Sequence, residues 1–120
     1  MSQIGSTFVV ADNTGVKTII WIGLIFSKAH QIKLGNWIIG VITQSVNKTL
    51  KKSNIVKAIV IRLKKTTKFE TGLNITFADN AVVLVDHNLN PLGSRILGPL
   101  PWILKKNNYL KLISISSEFI

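Results

Sequence analysis

The sequence predicts a mainly β protein: a small five-stranded barrel with short helical segments near its C-terminus. Short apolar runs rich in Ile and Val recur along the chain, and such runs favour strands. Turn-forming residues separate the runs, and little of the chain has helical periodicity. Several short strands joined by turns are typical of a small barrel. With 120 residues and no Cys, one domain over residues 1–120 is expected, without disulfides.

The first two strands are expected to form a hairpin. The first apolar run covers residues 7–11 and the second covers residues 16–26. Between them, Asp-Asn-Thr-Gly at residues 12–15 is a turn signal, because Asn and Gly tolerate positive φ and Asp bonds the backbone two residues on. A polar loop over residues 27–36 follows.

Three more strands complete the predicted barrel. They cover residues 37–43, 56–63 and 81–85. A polar loop over residues 44–54 joins the first two. After the second of them, the chain leaves on a basic loop, returns through residues 73–77 and turns at 78–80. A further turn is expected at residues 87–91.

The pattern changes after Gly93. Residues 100–107 and 109–115 lack clean alternation, and Pro101 suits the start of a helix. Short helices are therefore expected in a C-terminal appendix, about residues 100–120. Two strands, around residues 19–22 and 82–85, are apolar on both faces. Because a small barrel has one interior, their outer faces must contact either the C-terminal segment or another macromolecule.

The charge predicts an anionic partner. Fifteen Lys and Arg against five Asp and Glu give a net charge of +10, which favours nucleic acid, an acidic protein or a membrane surface. A hydrophobic content of 47% excludes a disordered basic tail. The longest apolar run, residues 19–26, is far shorter than the about 20 residues of a spanning helix. No membrane partner is therefore expected, and no targeting segment is visible at the N-terminus.

No constellation for catalysis or metal binding is visible. His30 and His87 are isolated, and each acidic residue is explained by a turn or by the tail. Asn13 interrupts what would otherwise be an Asp-Thr-Gly protease signature, and no phosphate-binding Gly-x-x-x-x-Gly-Lys is present. We therefore expect no enzyme activity, no catalytic residues, no cofactor and no metal site.

The basic residues cluster in three places. They flank residues 44–54, follow residue 63, and recur between Arg95 and Lys111. Loop lysines bind phosphates, which position a protein without reading bases. Alternate connections of a barrel can gather at one end, which would merge these clusters. One candidate function at this point is a free nucleic-acid-binding barrel. That class normally shows exposed aromatics for base stacking, and aromatics make up only 8% here.

Four stretches resemble one known family. They are residues 10–15 (Val-Ala-Asp-Asn-Thr-Gly), residues 57–62 followed by Lys64 and Lys65, Gly72 with the Phe77 to Leu84 region, and residues 93–99 (Gly-Ser-Arg-Ile-Leu-Gly-Pro). In this order they resemble the universal large ribosomal subunit protein fourteen family, in its bacterial or organellar form. The chain departs from the family at Asn36, Ser53 and Thr71, and arginines usual in residues 27–36 and 100–107 are absent.

The resemblance implies a five-stranded barrel that is a structural constituent of the large ribosomal subunit. Its implied partners are large-subunit rRNA, small-subunit rRNA at an intersubunit bridge, and neighbouring large-subunit proteins. The resemblance also implies a face that joins the two subunits, which comprises Ser94, Arg95 and Lys111. It further implies that a ribosome silencing factor can occupy this joining face. The implied rRNA-contacting residues are Asn13, Lys17, Lys48, Lys51, Lys52, Arg62, Lys64, Lys65 and Lys68.

The frequencies of individual residue types indicate where the protein is encoded. Ile (18), Lys (13) and Asn (10) are abundant while Arg occurs twice, and the favoured residues have AT-rich codons. Such a bias is typical of an organelle or endosymbiont genome. Because the sequence diverges from the bacterial pattern more than plastid forms usually do, a mitochondrial ribosome is expected, with a plastid as the alternative.

Overall fold

The computed structural model describes residues 7–24, 34–64, 67–68, 72, 74–77, 79–86, 90–100 and 114–115. Within them, five strands close into a barrel in the order β1-β2-β3-β4-β7, and two very short strands pair beside it. The strands are β1 (Thr7–Val10), β2 (Val16–Leu24), β3 (Trp37–Ser45), β4 (Ile55–Arg62), β5 (Thr67–Lys68), β6 (Asn74–Ile75) and β7 (Ala81–Val85).

The long β2–β3 pair gives the barrel its curvature. Each strand has nine residues, and their antiparallel register shifts between Val16 and Thr18, between Thr18 and Ile19, and between Trp21 and Gly23. Bulges of this kind bend a strand and increase its twist. Five strands can therefore curl far enough for the first to reach the last.

The barrel closes through a short parallel pair between β1 and β7. Val9 is opposite Ala81 and Val10 is opposite Val82. The Val9 N–H donates to the Asn80 carbonyl and the Ala11 N–H donates to the Val82 carbonyl, both at 2.9 Å. All other neighbouring strands of the barrel are antiparallel. Within the described residues, every barrel strand therefore has a neighbour on each side, which reduces the sites for edge-to-edge pairing.

Alternate residues of each barrel strand fill the interior. Side chains that point inward include Phe8, Ile19, Trp21, Ile38 and Leu84, all nearly or fully buried. Their alternation follows from the period of two along a strand. This interior is the main hydrophobic core.

A second apolar cluster covers the outside of β4 and β7. Ile59 and Ile61 of β4 and Val83 of β7 pack there against Ile96 and Leu100 of the segment that follows β7. The C-terminal segment thus buries the outer face of these two strands. For β7 this is one of the two coverings expected from its composition, whereas β2, the other strand expected to be apolar on both faces, contributes no residue to this cluster. Elsewhere the outer face is less covered, since Val9, Ile22 and Ile55 are 44%, 42% and 68% exposed.

The predicted fold class is confirmed, with differences in detail. β3 extends to Ser45, beyond the expected end at residue 43, because Gln44 and Ser45 continue the pairing with β2 opposite Thr18 and Val16. The expected basic loop after β4 contains the small β5–β6 hairpin. The C-terminal helices predicted within residues 100–115 fall almost entirely outside the described residues. In the described part of the chain, no helix has the length and apolar character to cross a membrane.

The covered outer face of β4 can be tested on two isoleucines of the same strand. Ile59→Ala should lower the free energy of unfolding by about 2–5 kcal/mol, because it opens a cavity between β4 and the C-terminal segment. Ile55→Ala, at an exposed outward position, should change it by no more than about 0.5 kcal/mol. Urea unfolding of the purified protein measures both. Equal effects would show that the outer face of β4 is not covered in solution.

Candidate functional site

The described lysines that are predicted to contact RNA lie at two ends of the barrel. Because β3 and β4 are antiparallel, their connection over residues 46–54 lies at one end and the exit of β4 lies at the other. Lys48, Lys51 and Lys52 are exposed on the connection, and Lys64 is exposed just beyond β4. These two clusters do not merge into one patch.

The remaining predicted contacts are distributed as follows. Lys17 is exposed on β2. Asn13, Ser94 and Arg95 are exposed close together, at the end of the barrel that carries residues 46–54. Arg62 is buried. The side chains of Lys65, Lys68 and Lys111 lie outside the described residues.

Asp12 anchors the turn between β1 and β2. Its carboxylate is 5% exposed. One oxygen accepts from the Thr14 N–H at 3.2 Å and the Thr14 hydroxyl at 2.7 Å, as the predicted turn requires. The other accepts from the Leu84 N–H of β7 at 3.1 Å. Burial raises the pKa of the Asp12 carboxyl, and these hydrogen bonds oppose the shift.

Asn13 binds the segment that carries the predicted joining residues. Its Oδ1 accepts from the Ser94 N–H at 2.8 Å and from the Arg95 N–H at 3.1 Å. Its Nδ2 donates to the Ser94 hydroxyl at 2.7 Å. The side chain is exposed, but it is directed to residues 81 and 82 positions away in the chain.

A third loop joins the same surface through Asn47. Asn47 Nδ2 donates to the Thr14 carbonyl, and the Val46 N–H donates to the Gly15 carbonyl at 2.9 Å. Asn47 Oδ1 in turn accepts from the Thr49 and Leu50 N–H groups at 2.8 and 3.1 Å. Sequence reasoning missed Asn47, although an Asn at the start of a loop is a known backbone-bonding residue.

The three loops together form one surface, called here the hairpin end: residues 12–15, 46–50 and 92–95. A depression of about 490 Å³ lies between them. Its lining is mixed, with amide and hydroxyl groups beside Leu50 and Leu92. The hairpin end therefore places the Lys48 loop beside Ser94 and Arg95.

Arg62 is engaged within the fold. Its side chain is 9% exposed, and its Nε lies 3.0 Å from the Asp79 Oδ1 without the alignment of a hydrogen bond. Nη2 reaches the other Asp79 oxygen at 3.4 Å, and Nη1 donates to the Leu97 carbonyl at 2.9 Å. A Cβ at Gly98, where φ is +82°, would overlap Nη1. The predicted rRNA contact of Arg62 stays a prediction, but this guanidinium joins β4 to residues 97–98.

The exit of β4 is organised by Asn80. Its Oδ1 accepts from the Lys64 N–H at 2.8 Å. The Phe77 N–H donates to the Leu63 carbonyl at 3.1 Å, which pairs the outgoing and returning chain. The backbone of Lys64 is therefore held while its side chain is exposed.

The charges at the surface of the described part are strongly unbalanced. Its three carboxylates are bound internally: Asp12 to Thr14 and Leu84, Asp79 to Arg62, and Asp86 to Asn90. Within that part, no carboxylate forms an ion pair with an exposed cation. The exposed cations are Lys17, Lys48, Lys51, Lys52, Lys57, Lys64 and Arg95.

Residues suited to other chemistry do not converge in the described part. No three His, Asp or Glu side chains there are grouped as a metal site requires, while His30 and His87 lie outside it. Of the described aromatic residues, Phe8, Trp21 and Phe77 are buried and Trp37 packs on the outer cluster. They offer no exposed stacking platform of the kind that single-strand binders use.

A family model described as "Ribosomal protein L14p/L23e" matches residues 1–120. The chain belongs to this ribosomal protein family. The family resemblance is thereby confirmed. As a member of the L14p/L23e family, the chain is a structural component of the large ribosomal subunit and not an enzyme. Membership implies large-subunit rRNA and ribosomal proteins as its partners.

Two curated relatives agree with the family. The "Large ribosomal subunit protein uL14c" of Eimeria tenella is 52% identical over 122 residues, covering all of both chains. The protein of the same name in Toxoplasma gondii is 46% identical over 121 residues, again covering all of both chains.

The mitochondrial location expected from the divergence of the sequence is wrong. Both relatives carry the uL14c name, which designates chloroplast or plastid forms. Residue usage indicated an organelle without distinguishing one from the other, and divergence from the bacterial pattern did not separate a mitochondrial form from a plastid form.

The contact between Arg62 and Gly98 can be isolated with two glycines of similar conformation. Gly72 and Gly98 have φ of +87° and +82°, but a Cβ at Gly72 would meet nothing within 4 Å. Gly72→Ala should cost about 1–2 kcal/mol of stability from the left-handed backbone alone. Gly98→Ala should cost at least about 2 kcal/mol more, because it displaces a buried charge from its partners. Urea unfolding measures both, and equal losses would mean that the Arg62 contact does not stabilise the fold.

Proposed function

We propose that this L14p/L23e family member binds large-subunit rRNA through exposed lysines at the two ends of its barrel and bridges to small-subunit rRNA through Ser94 and Arg95. The observation that supports it is the unbalanced surface charge: the described carboxylates are bound to other groups of the chain, while the exposed cations are unpaired within the described residues. A surface of this kind attracts the phosphates of a nucleic acid.

The proposed rRNA contact uses lysines from both ends of the barrel. Lys48 belongs to the hairpin end, and Lys51 and Lys52 follow it in the same loop. Lys64 begins a basic stretch after β4, at the other end, and Lys65 and Lys68 follow it in the sequence. Lys17 on β2 adds a further exposed cation. Lysines of this kind neutralise backbone phosphates without reading base identity. We leave Asn13 and Arg62 out of this contact, since both side chains are bound within the chain.

The proposed joining face is centred on Ser94 and Arg95 at the hairpin end, with Lys111 as its third member. Both described side chains are exposed, while their backbone is held by Asn13. A guanidinium beside a hydroxyl suits the oxygens of a phosphate. The same face would accept a ribosome silencing factor, which would then compete with the small subunit.

Two further proposals concern a protein neighbour of the chain and the cellular location. The exposed apolar residues Val9, Ile22 and Ile55 lie on the outer faces of β1, β2 and β4, and we propose that a neighbouring large-subunit protein covers some of them. The names of the two relatives support a plastid ribosome as the location.

The rRNA contact at the β4 exit can be tested by charge reversal. Lys64→Glu should weaken binding of the purified protein to large-subunit rRNA about tenfold or more and reduce the salt slope by about one, because a phosphate contact is lost. Lys57→Glu, an equal charge change on the exposed outer side of β4, is the control. Filter binding across a salt series measures both. Equal losses would indicate a general charge effect and no contact at Lys64.

The joining face can be tested by removing its guanidinium. Arg95→Ala should lower the association constant of the two subunits about tenfold, since charged hydrogen bonds contribute about 1.5–3 kcal/mol. Incorporation into the large subunit should stay normal. Light scattering of mixed subunits and sucrose gradients measure the two effects, with Lys57→Ala as the control. Loss of incorporation would instead assign Arg95 to large-subunit rRNA or to folding.

A further inference from the structure

Asn13 makes an unusually complete set of hydrogen bonds for an exposed side chain. Its carbonyl oxygen accepts from two successive backbone N–H groups, those of Ser94 and Arg95, at 2.8 and 3.1 Å. Its NH₂ group donates to the Ser94 hydroxyl at 2.7 Å. An amide suits this position because it combines an acceptor with two lone pairs and a donor on one planar group.

Gly93 leaves the space that the Asn13 side-chain amide occupies. A Cβ at Gly93 would lie 2.7 Å from the Asn13 Oδ1 and 3.1 Å from the Asp12 Cβ. Any larger residue at 93 would therefore push the Asn13 side chain away. Gly93, Ser94 and Arg95 are thus fitted as a unit to one side chain from the β1–β2 turn.

The backbone of Arg95 is consequently held on both sides. Asn13 binds its N–H, and on the C-terminal side Ile96 is 3% exposed in the outer apolar cluster. The Leu97 N–H then donates to the Ala11 carbonyl at 2.6 Å. Only the side chain of Arg95 is left to move, which reduces the entropy lost when it binds a partner.

The same contact sets the direction of the Ser94 hydroxyl. Because the Ser94 oxygen accepts from Asn13, its own proton is available for another acceptor. Ser94 thereby becomes a donor beside the Arg95 cation, and this pair of donors matches the oxygens of a phosphate group.

We propose that Asn13 is a positioning residue of the joining face. It holds the backbone of Ser94 and Arg95 and orients the Ser94 hydroxyl toward a phosphate of the partner RNA, without contacting RNA itself. This inference rests on the proposed joining function of Ser94 and Arg95. It also gives Asn13 a different role from the rRNA contact that the family resemblance implies.

A double-mutant cycle tests the proposal in assembled ribosomal subunits. Asn13→Ala should lower subunit association severalfold with normal incorporation into the large subunit. Gly93→Ala should act in the same way, because it displaces the amide without changing it. In a background that carries both Ser94→Ala and Arg95→Ala, Asn13→Ala should change association less than about twofold, since it acts through these two side chains. Asn54→Ala is the control, as Asn54 is an exposed Asn whose side chain donates to the Thr49 carbonyl of its own loop.

The possible results separate this inference from the function it rests on. If Arg95→Ala weakens association and Asn13→Ala does not, the positioning role is overturned and the joining face stands. If Asn13→Ala lowers association as much in the background without the Ser94 and Arg95 side chains as it does with them present, Asn13 contacts the partner directly, which also overturns the proposal. Reduced incorporation of Asn13→Ala would assign it to large-subunit rRNA. If Arg95→Ala has no effect on association, the joining face fails and the positioning role fails with it.

Discussion

The structure depends on how the Asp12 carboxylate completes the closure of the barrel. In a continued parallel ladder, the Leu84 N–H of β7 would donate to the Ala11 carbonyl. Instead it donates to Asp12 Oδ2, and the Ala11 carbonyl accepts from the Leu97 N–H. One buried side chain thus joins β1 to β7 and leaves a backbone acceptor for the C-terminal segment. The cost is a desolvated carboxylate, offset by three hydrogen bonds.

Arg62 anchors the same segment at the far end of β4. It links Asp79 and the Leu97 carbonyl from a buried position, with Gly98 providing the space. The segment after β7 is therefore held at two points, and its apolar residues Ile96 and Leu100 cover the outer face of β4 and β7. These internally bound polar groups differ in role from the exposed cations. A charge that is already paired and desolvated offers little interaction energy to an outside partner.

The strand topology determines at which end of the barrel the exposed polar and charged groups lie. Antiparallel β3 and β4 send Lys48 and Lys64 to opposite ends of the barrel, while hydrogen bonds from Asn13 and Asn47 gather three loops into the hairpin end. A small barrel thereby offers basic groups at two separate surfaces. In the proposed function, both ends contact large-subunit rRNA, and the hairpin end also carries the face that joins the small subunit.

The sequence by itself determined the strands, the turn at residues 12–15, the excess of positive charge and the family, because composition, turn chemistry and motif order are local properties. It did not predict the β5–β6 hairpin, nor which polar side chains would bond to distant residues of the same chain. In the sequence, nothing distinguished Asn13 and Arg62 from residues that contact RNA at the surface. Only the tertiary structure decided their partners, Ser94 and Leu97, because these lie 81 and 35 positions away and meet only when the barrel closes and the C-terminal segment packs on it.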